Sequence, residues 1–204
     1  MVKRDKEKLK ILAAGDLHGS PEIAEELAKK AEKEKVDLIV LAGDLHGMFE
    51  NQSKIVMKPF KDRKQKVAFV PGNWDTSLEA SLLREEGAKN LHGYYVNYKG
   101  INILGVGNPD FKLSLDNDGL DKLKYNFQRF KKKGRSILVS HLHAAGSKAE
   151  FSGFKGDSLL RKAIDYFHPD ILIQGHIHEA EGIEEKIGKT KVINVGRRGK
   201  VIEI

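Results

Sequence analysis

Five short apolar runs in this chain each stop at a cluster rich in Asp, Asn or His. Leu9 to Ala14 ends at Gly15-Asp16-Leu17-His18-Gly19, and Val36 to Ala42 ends at Gly43-Asp44-Leu45-His46-Gly47. Val67 to Val70 leads to Gly72-Asn73-Trp74-Asp75, Ile137 to Val139 to Ser140-His141-Leu142-His143, and Ile171 to Ile173 to Gly175-His176-Ile177-His178. Nearly continuous apolar runs of this length suit strands covered on both faces. Helical patterns lie between them. Ser20 and Pro21 form an N-cap and first-turn pair, followed by Ile23, Ala24, Leu27, Ala28 and Ala31 on one face. Further helices are expected over 76–86, 120–133 and 158–167, the last stopped by Pro169. Hairpins are expected over 94–106 and 183–195, with a final strand at 201–204. Segment 47–62 reads as a surface excursion and 110–119 as a second loop.

Alternating strands and helices imply an α/β protein with a mainly parallel core sheet. The 204 residues fit a single domain spanning 1–204, since no linker or low-complexity stretch divides them. All five clusters then fall at the C-terminal ends of strands. Loops at that edge of an open α/β sheet build the ligand site, so residues distant in sequence converge.

Cysteine is absent. That excludes disulfides, thiolate zinc sites and a cysteine nucleophile, and leaves oxygen and imidazole nitrogen to hold any metal. One Asp or His after a strand is an ordinary turn former or helix cap. Five clusters on one edge are different, because burying so many ionisable groups uncompensated costs several kcal/mol per ion. Asp16 and His18 are two residues apart and can point the same way from an extended segment, as can His176 and His178. Asp44 offers a carboxylate that can bridge two cations, Asn73 an amide oxygen and His141 an imidazole. Two ions roughly 3.5–4 Å apart would clamp a phosphate and hold a hydroxide for attack on phosphorus.

The ordered set D-x-H, G-D, G-N-x-D, H and G-H-x-H, running from Asp16 to His178, resembles the calcineurin-like metallophosphoesterases, with the compact size of their prokaryotic phosphodiesterases. The resemblance implies a four-layer α/β/β/α sandwich with two mixed sheets and a dimetal site at the C-terminal ends of the strands. By motif position, one ion would take Asp16, His18, His178 and the bridging Asp44. The other would take Asp44, Asn73, His141 and His176. The implied cofactors are two divalent transition-metal ions, with Mn expected first and Fe, Zn, Ni or Co as alternatives.

One position departs from the pattern. Most members read G-N-H-[DE], where the His stabilises the transition state or protonates the leaving oxygen. This chain has Trp74, and an indole N–H is only a hydrogen-bond donor. General acid catalysis typically contributes 10²–10⁴-fold, so the proton would come from His46, His143 or Asp75, or the substrate would need little help. Asp44, Asn73, His143 and Asp75 are therefore the expected catalytic residues. The family resemblance at this position favours phosphodiesters over monoesters, and Trp74 could stack on a substrate ring. The alternative is a catalytically weak metal-binding scaffold that docks partner proteins; the complete ligand set argues against it.

The net charge of +7 can point to nucleic acid. The lysines interleave with glutamates, as in segment 29–35, so a solvated surface is favoured over a nucleic-acid site. The expected substrate is a small phosphodiester or a nucleotide-like molecule. Arg197 and Arg198, near the fifth cluster, could grip a phosphate oxygen; a solvated turn is the plainer reading. No apolar run approaches the ~20 residues of a membrane span, and the charged N-terminus lacks a signal-type apolar core, so a cytoplasmic protein is expected. Oligomeric state is left open.

Overall fold

Strands that are apolar on both faces must be covered on both, and the chain meets that requirement with two stacked sheets. The computed structural model describes residues 8–47, 52–130 and 134–204. In chain order the elements are β1 (Lys10–Ala14), α1 (Pro21–Lys33), β2 (Leu38–Ala42), α2 (Gln52–Asp62), β3 (Val67–Val70), α3 (Ser77–Glu85), β4 (Lys89–Asn90), β5 (Tyr94–Tyr98), β6 (Ile101–Val106), α4 (Asn117–Phe130), β7 (Ser136–Ser140), α5 (Ser158–Phe167), β8 (Ile171–Gln174), β9 (Glu184–Ile187), β10 (Thr190–Asn194) and β11 (Lys200–Glu203). One sheet has the order β11-β1-β2-β3-β4 and the other β5-β6-β7-β8-β10-β9. Both are mixed. β1, β2, β3 and β4 run parallel with β11 antiparallel at the edge, while β6, β7, β8 and β10 run parallel between antiparallel edges β5 and β9.

Side-chain alternation along each strand divides the apolar residues among three cores. In β1, Leu12 and Ala14 pack under α1 to α3, whereas Ile11 and Ala13 face the second sheet. In β7, Ile137 and Val139 join the inter-sheet core, and Leu138 packs beneath α4 and α5. Three cores between four layers give the expected α/β/β/α sandwich. The caps are local. Ser20 Oγ accepts from the Ile23 amide at 3.2 Å, and Thr76 and Glu79 form a capping box on α3.

The two mixed sheets match the expected sandwich, each with a parallel core and an antiparallel strand at its edge. Two expectations need correction. Segment 47–62 was expected to be an excursion, yet 52–62 is helix α2, burying Ser53, Val56, Met57 and Phe60. Pro59 lies inside that helix and removes a hydrogen bond, so packing rather than propensity holds it. The loop expected over 110–119 ends earlier, because α4 begins at Asn117. Residues 48–51 of the excursion and 131–133 of the expected basic helix lie outside the described residues.

Candidate metal centre

The loops after β1, β2, β3, β7 and β8 meet at one end of the sandwich, locked by backbone bonds. The Asp16 amide donates to the Gly43 carbonyl, His18 to Asp44, and Gly175 to His141, each at 2.9 Å. The approach is close enough to require glycine: a Cβ at Gly72 would lie 2.2 Å from Asp44 Oδ1. Asp16, His18, Asp44 and His176 all adopt left-handed backbone conformations, with φ of 57°, 46°, 53° and 72°. Such strain costs on the order of 1–3 kcal/mol per residue and clusters at functional sites.

Two groups of side chains converge there. Asp16, His18 and His178 form one, and Asp44, His141 and His176 the other; within each, the ligand atoms lie within 4.8 Å of one another. Asp44 reaches toward both groups. Its Oδ2 stands 3.3 Å from His141 Nε2 and 3.9 Å from His18 Nε2. Asn73 Oδ1 is 3.0 Å from His141 Nε2, and His176 Nδ1 is 3.1 Å from the same nitrogen. His141 Nδ1 donates to the Ala42 carbonyl at 2.9 Å, which orients the ring and turns Nε2 toward the other ligands. Asp44 Oδ1 accepts from the Trp74 amide at 2.9 Å.

The electrostatics are those of carboxylates and imidazoles facing one another. Burial pushes the Asp44 carboxyl up, but the hydrogen bond and charge of His141 and the Trp74 amide outweigh it and hold it below its ordinary value. Burial lowers His141 as well, yet Asp44 and Asp16 raise it to about 9. Burial, then the neighbouring His141 charge, pushes His176 down to about 4. Asp16 raises His178, while burial lowers His18.

Asp16 supplies the test of whether these residues suit a cation. Its side chain is buried and neither carboxylate oxygen has a hydrogen-bond partner; His178 Nε2 stands 3.5 Å from Oδ1. A buried carboxylate without donors is costly, and a metal ion is the partner this nitrogen–oxygen donor set accepts. The residues fit.

Asp75 and His46 sit apart from the two groups. Asp75 Oδ1 accepts from the amides of Leu45 and His46 and from His46 Nδ1, and Oδ2 from the Gly72 amide. His46 Nε2 accepts from the Ser53 hydroxyl at 2.7 Å. Both residues are fully buried and tie the β2 loop to the β3 loop. His143 is buried beside the centre, its ring stacked on His176 at 6.1 Å between centroids, with Nε2 donating to the Phe154 carbonyl at 3.2 Å. Trp74 does not fill the floor of the site: it is 41% exposed and meets His18 edge-on at 6.0 Å. Arg197 Nε donates to the Asp16 carbonyl at 2.8 Å, whereas Arg198 pairs with Glu181 on the surface.

In the structure the amides of Asp110 and Phe111 donate to the carbonyls of Asp75 and Asn73, both at 3.0 Å, which brings this loop against the third cluster. Asp110 and Phe111 are held at φ 65° and 59°, with Phe111 exposed. Positive φ at two successive non-glycine residues has no signature in the sequence.

Fold and site together define an α/β protein whose sheet edges gather two groups of Asp and His side chains that could hold metal ions. The chain belongs to the calcineurin-like phosphoesterase family, whose model matches residues 9–180. TT1561 of Thermus thermophilus superposes with a TM-score of 0.73 at 19% identity, covering 97% of this chain and 99% of that one. A dimetal phosphatase from Danio rerio gives 0.60 at 14% identity over 93% and 88% of the two chains. An archaeal phosphodiesterase gives 0.56 at 16% identity over 96% and 100%. No curated protein matches significantly. No helix among the described residues is long and apolar enough to cross a membrane.

Proposed function

We propose that this phosphoesterase is a dinuclear metal-dependent phosphodiesterase. The observation that carries the reading is the placement of Asp44, one carboxylate within 4 Å of imidazoles from both groups. Asp16, His18, His178 and Asp44 would hold one ion, and Asp44, Asn73, His141 and His176 the other. When bound, the ions polarise a phosphate and activate water. The chain's own residues set the geometry: Asp44 fixes the spacing between the two groups, Asn73 supplies a neutral oxygen, and the Ala42 carbonyl aims His141. Trp74, where relatives commonly have His, supports diesters over monoesters. Of the three candidate proton donors, Asp75 and His46 are engaged with each other, which leaves His143 to protonate the leaving oxygen. The archaeal phosphodiesterase among the similar structures is consistent with this class.

Manganese is the first ion to test, followed by Fe, Zn, Ni and Co. The assay is hydrolysis of bis-p-nitrophenyl phosphate with added Mn²⁺. Turnover that requires the ion is expected; no turnover with any of these metals, in protein that binds two ions, contradicts the reading.

A further inference from the structure

A cleft of about 410 Å³ opens beside His176 and His178, lined by Leu113, Phe154 and Ile177 together with His143, Lys155 and Glu179. Its lips are large apolar side chains left in water: Leu113 is 78% and Phe154 66% exposed. Both are held in place by the backbone. The Phe154 carbonyl accepts from His143, and the loop carrying Leu113 is pinned where the Leu115 amide donates to Asp157 Oδ2 at 2.9 Å and Asn108 Nδ2 to the Lys112 carbonyl at 2.7 Å. His143 lines the cleft, is 2% exposed, and has no partner for Nδ1. Trp74 lies elsewhere, against His18.

We infer that this cleft binds one ester substituent of the phosphodiester, and that the substituent carries a nucleobase. The inference rests on the phosphodiesterase reading. A diester brings two substituents to the metals, and the cleft adjoins the ligands of both groups through His176 and His178. Apolar walls with an aromatic lip suit the face of a flat ring. Lys155 and Glu179 suit its polar edge. An acyl chain needs a longer unbroken apolar wall, and a methyl or glycerol group would leave Leu113 and Phe154 in water.

The test uses the full manganese-loaded chain and two substrates with the same leaving group, thymidine 5′-(p-nitrophenyl phosphate) and methyl p-nitrophenyl phosphate. The thymidine ester should be preferred by roughly tenfold in kcat/KM, the scale of one base–aromatic stack, mostly through KM. Phe154→Ala and Leu113→Ala should bring the ratio toward one, and Phe154→Tyr should keep it. Equal rates in the parent chain, or a preference that survives both alanine variants, overturn the inference while leaving the phosphodiesterase reading intact. Calorimetric binding of thymidine 5′-monophosphate against methyl phosphate gives a readout independent of turnover. Tighter nucleotide binding that Phe154→Ala erases supports the subsite even if neither ester is hydrolysed, and equal binding overturns it.

Discussion

The two ligand groups differ in depth and in how much of their geometry the protein supplies. In the Asp44 group, the His141 side chain is fully buried and that of Asp44 only 4% exposed. Protein atoms orient them: the Ala42 carbonyl, the Trp74 amide and Asn73. In the Asp16 group the His178 side chain is 50% exposed and that of His18 22%. Neither carboxylate oxygen of Asp16 accepts a hydrogen bond, and Arg197 holds its backbone carbonyl and not its carboxylate. On the dinuclear reading, the deep group would be organised before a metal arrives, whereas the shallow group would need the ion to complete it. Preorganisation lowers the cost of binding, so the two sites should differ in affinity although their ligand types are nearly the same.

The largest effect that would break this comparison is at the residue the groups share. Asp44→Asn removes the charge between them and should lower turnover at least roughly 10³-fold, since a metal pair supplies several kcal/mol of transition-state stabilisation. Steady-state rates on bis-p-nitrophenyl phosphate read this directly, and near-normal turnover would remove Asp44 from its bridging role. Next is the brace behind the deep group. Asp75→Ala strands three backbone amides and the His46 ring, and should cost about 3–5 kcal/mol by denaturant unfolding. A loss under about 1 kcal/mol, the net worth of one ordinary hydrogen bond, would mean that the β2 and β3 loops are held by something else.

Much of the candidate site was legible because each cluster follows a strand, and strand ends are predictable from where apolar runs stop; the extended geometry expected for Asp16 and His18 and for His176 and His178 was not found, since Asp16, His18 and His176 take left-handed conformations. What escaped depends on tertiary partners. Asp75 and His46 have the residue types and positions of proton donors, and the sequence does not show that they pair with each other and that Asp75 gathers three backbone amides. The placement of Phe111 and Leu113 depends on tertiary bonds, from Asp110 and Phe111 to Asp75 and Asn73 and from Leu115 to Asp157. Helix α2 was hidden by Pro59, and β4 by having two residues. The second sheet was invisible in the periodicity, because Ile137 and Val139 look the same whether a helix or β2 covers them.

Proton release distinguishes the groups more finely. Without metal, His141 faces Asp44 and Asp16 and keeps its proton up to about 9, while His176, near 4, is already neutral at pH 7. A metal must displace the His141 proton, so affinity at the deep site should rise about tenfold per pH unit below 9 and then level off. Titrations in buffers of different ionisation enthalpy count the proton; a flat affinity between about pH 6 and 8 contradicts the protonated state. The smallest expected effect is Asp16→Asn in metal-free protein. Removing a buried carboxylate that accepts no hydrogen bond should change the stability of the fold by no more than about 1 kcal/mol, since the desolvation it relieves offsets the lost attraction to His178, while weakening the shallow metal site. A larger loss would mean that His178 already satisfies Asp16.

The central claim is that one carboxylate joins a preorganised site to one that metal completes. Manganese binding to the parent chain, measured by calorimetry with the bound ion counted by elemental analysis, tests it most directly. Two ions per chain are predicted, with the first at least about tenfold tighter. Asp16→Asn should lose only the weaker one, and Asp44→Asn should weaken both. A single ion per chain, or two ions whose affinities are equal and unmoved by Asp44→Asn, would contradict the account.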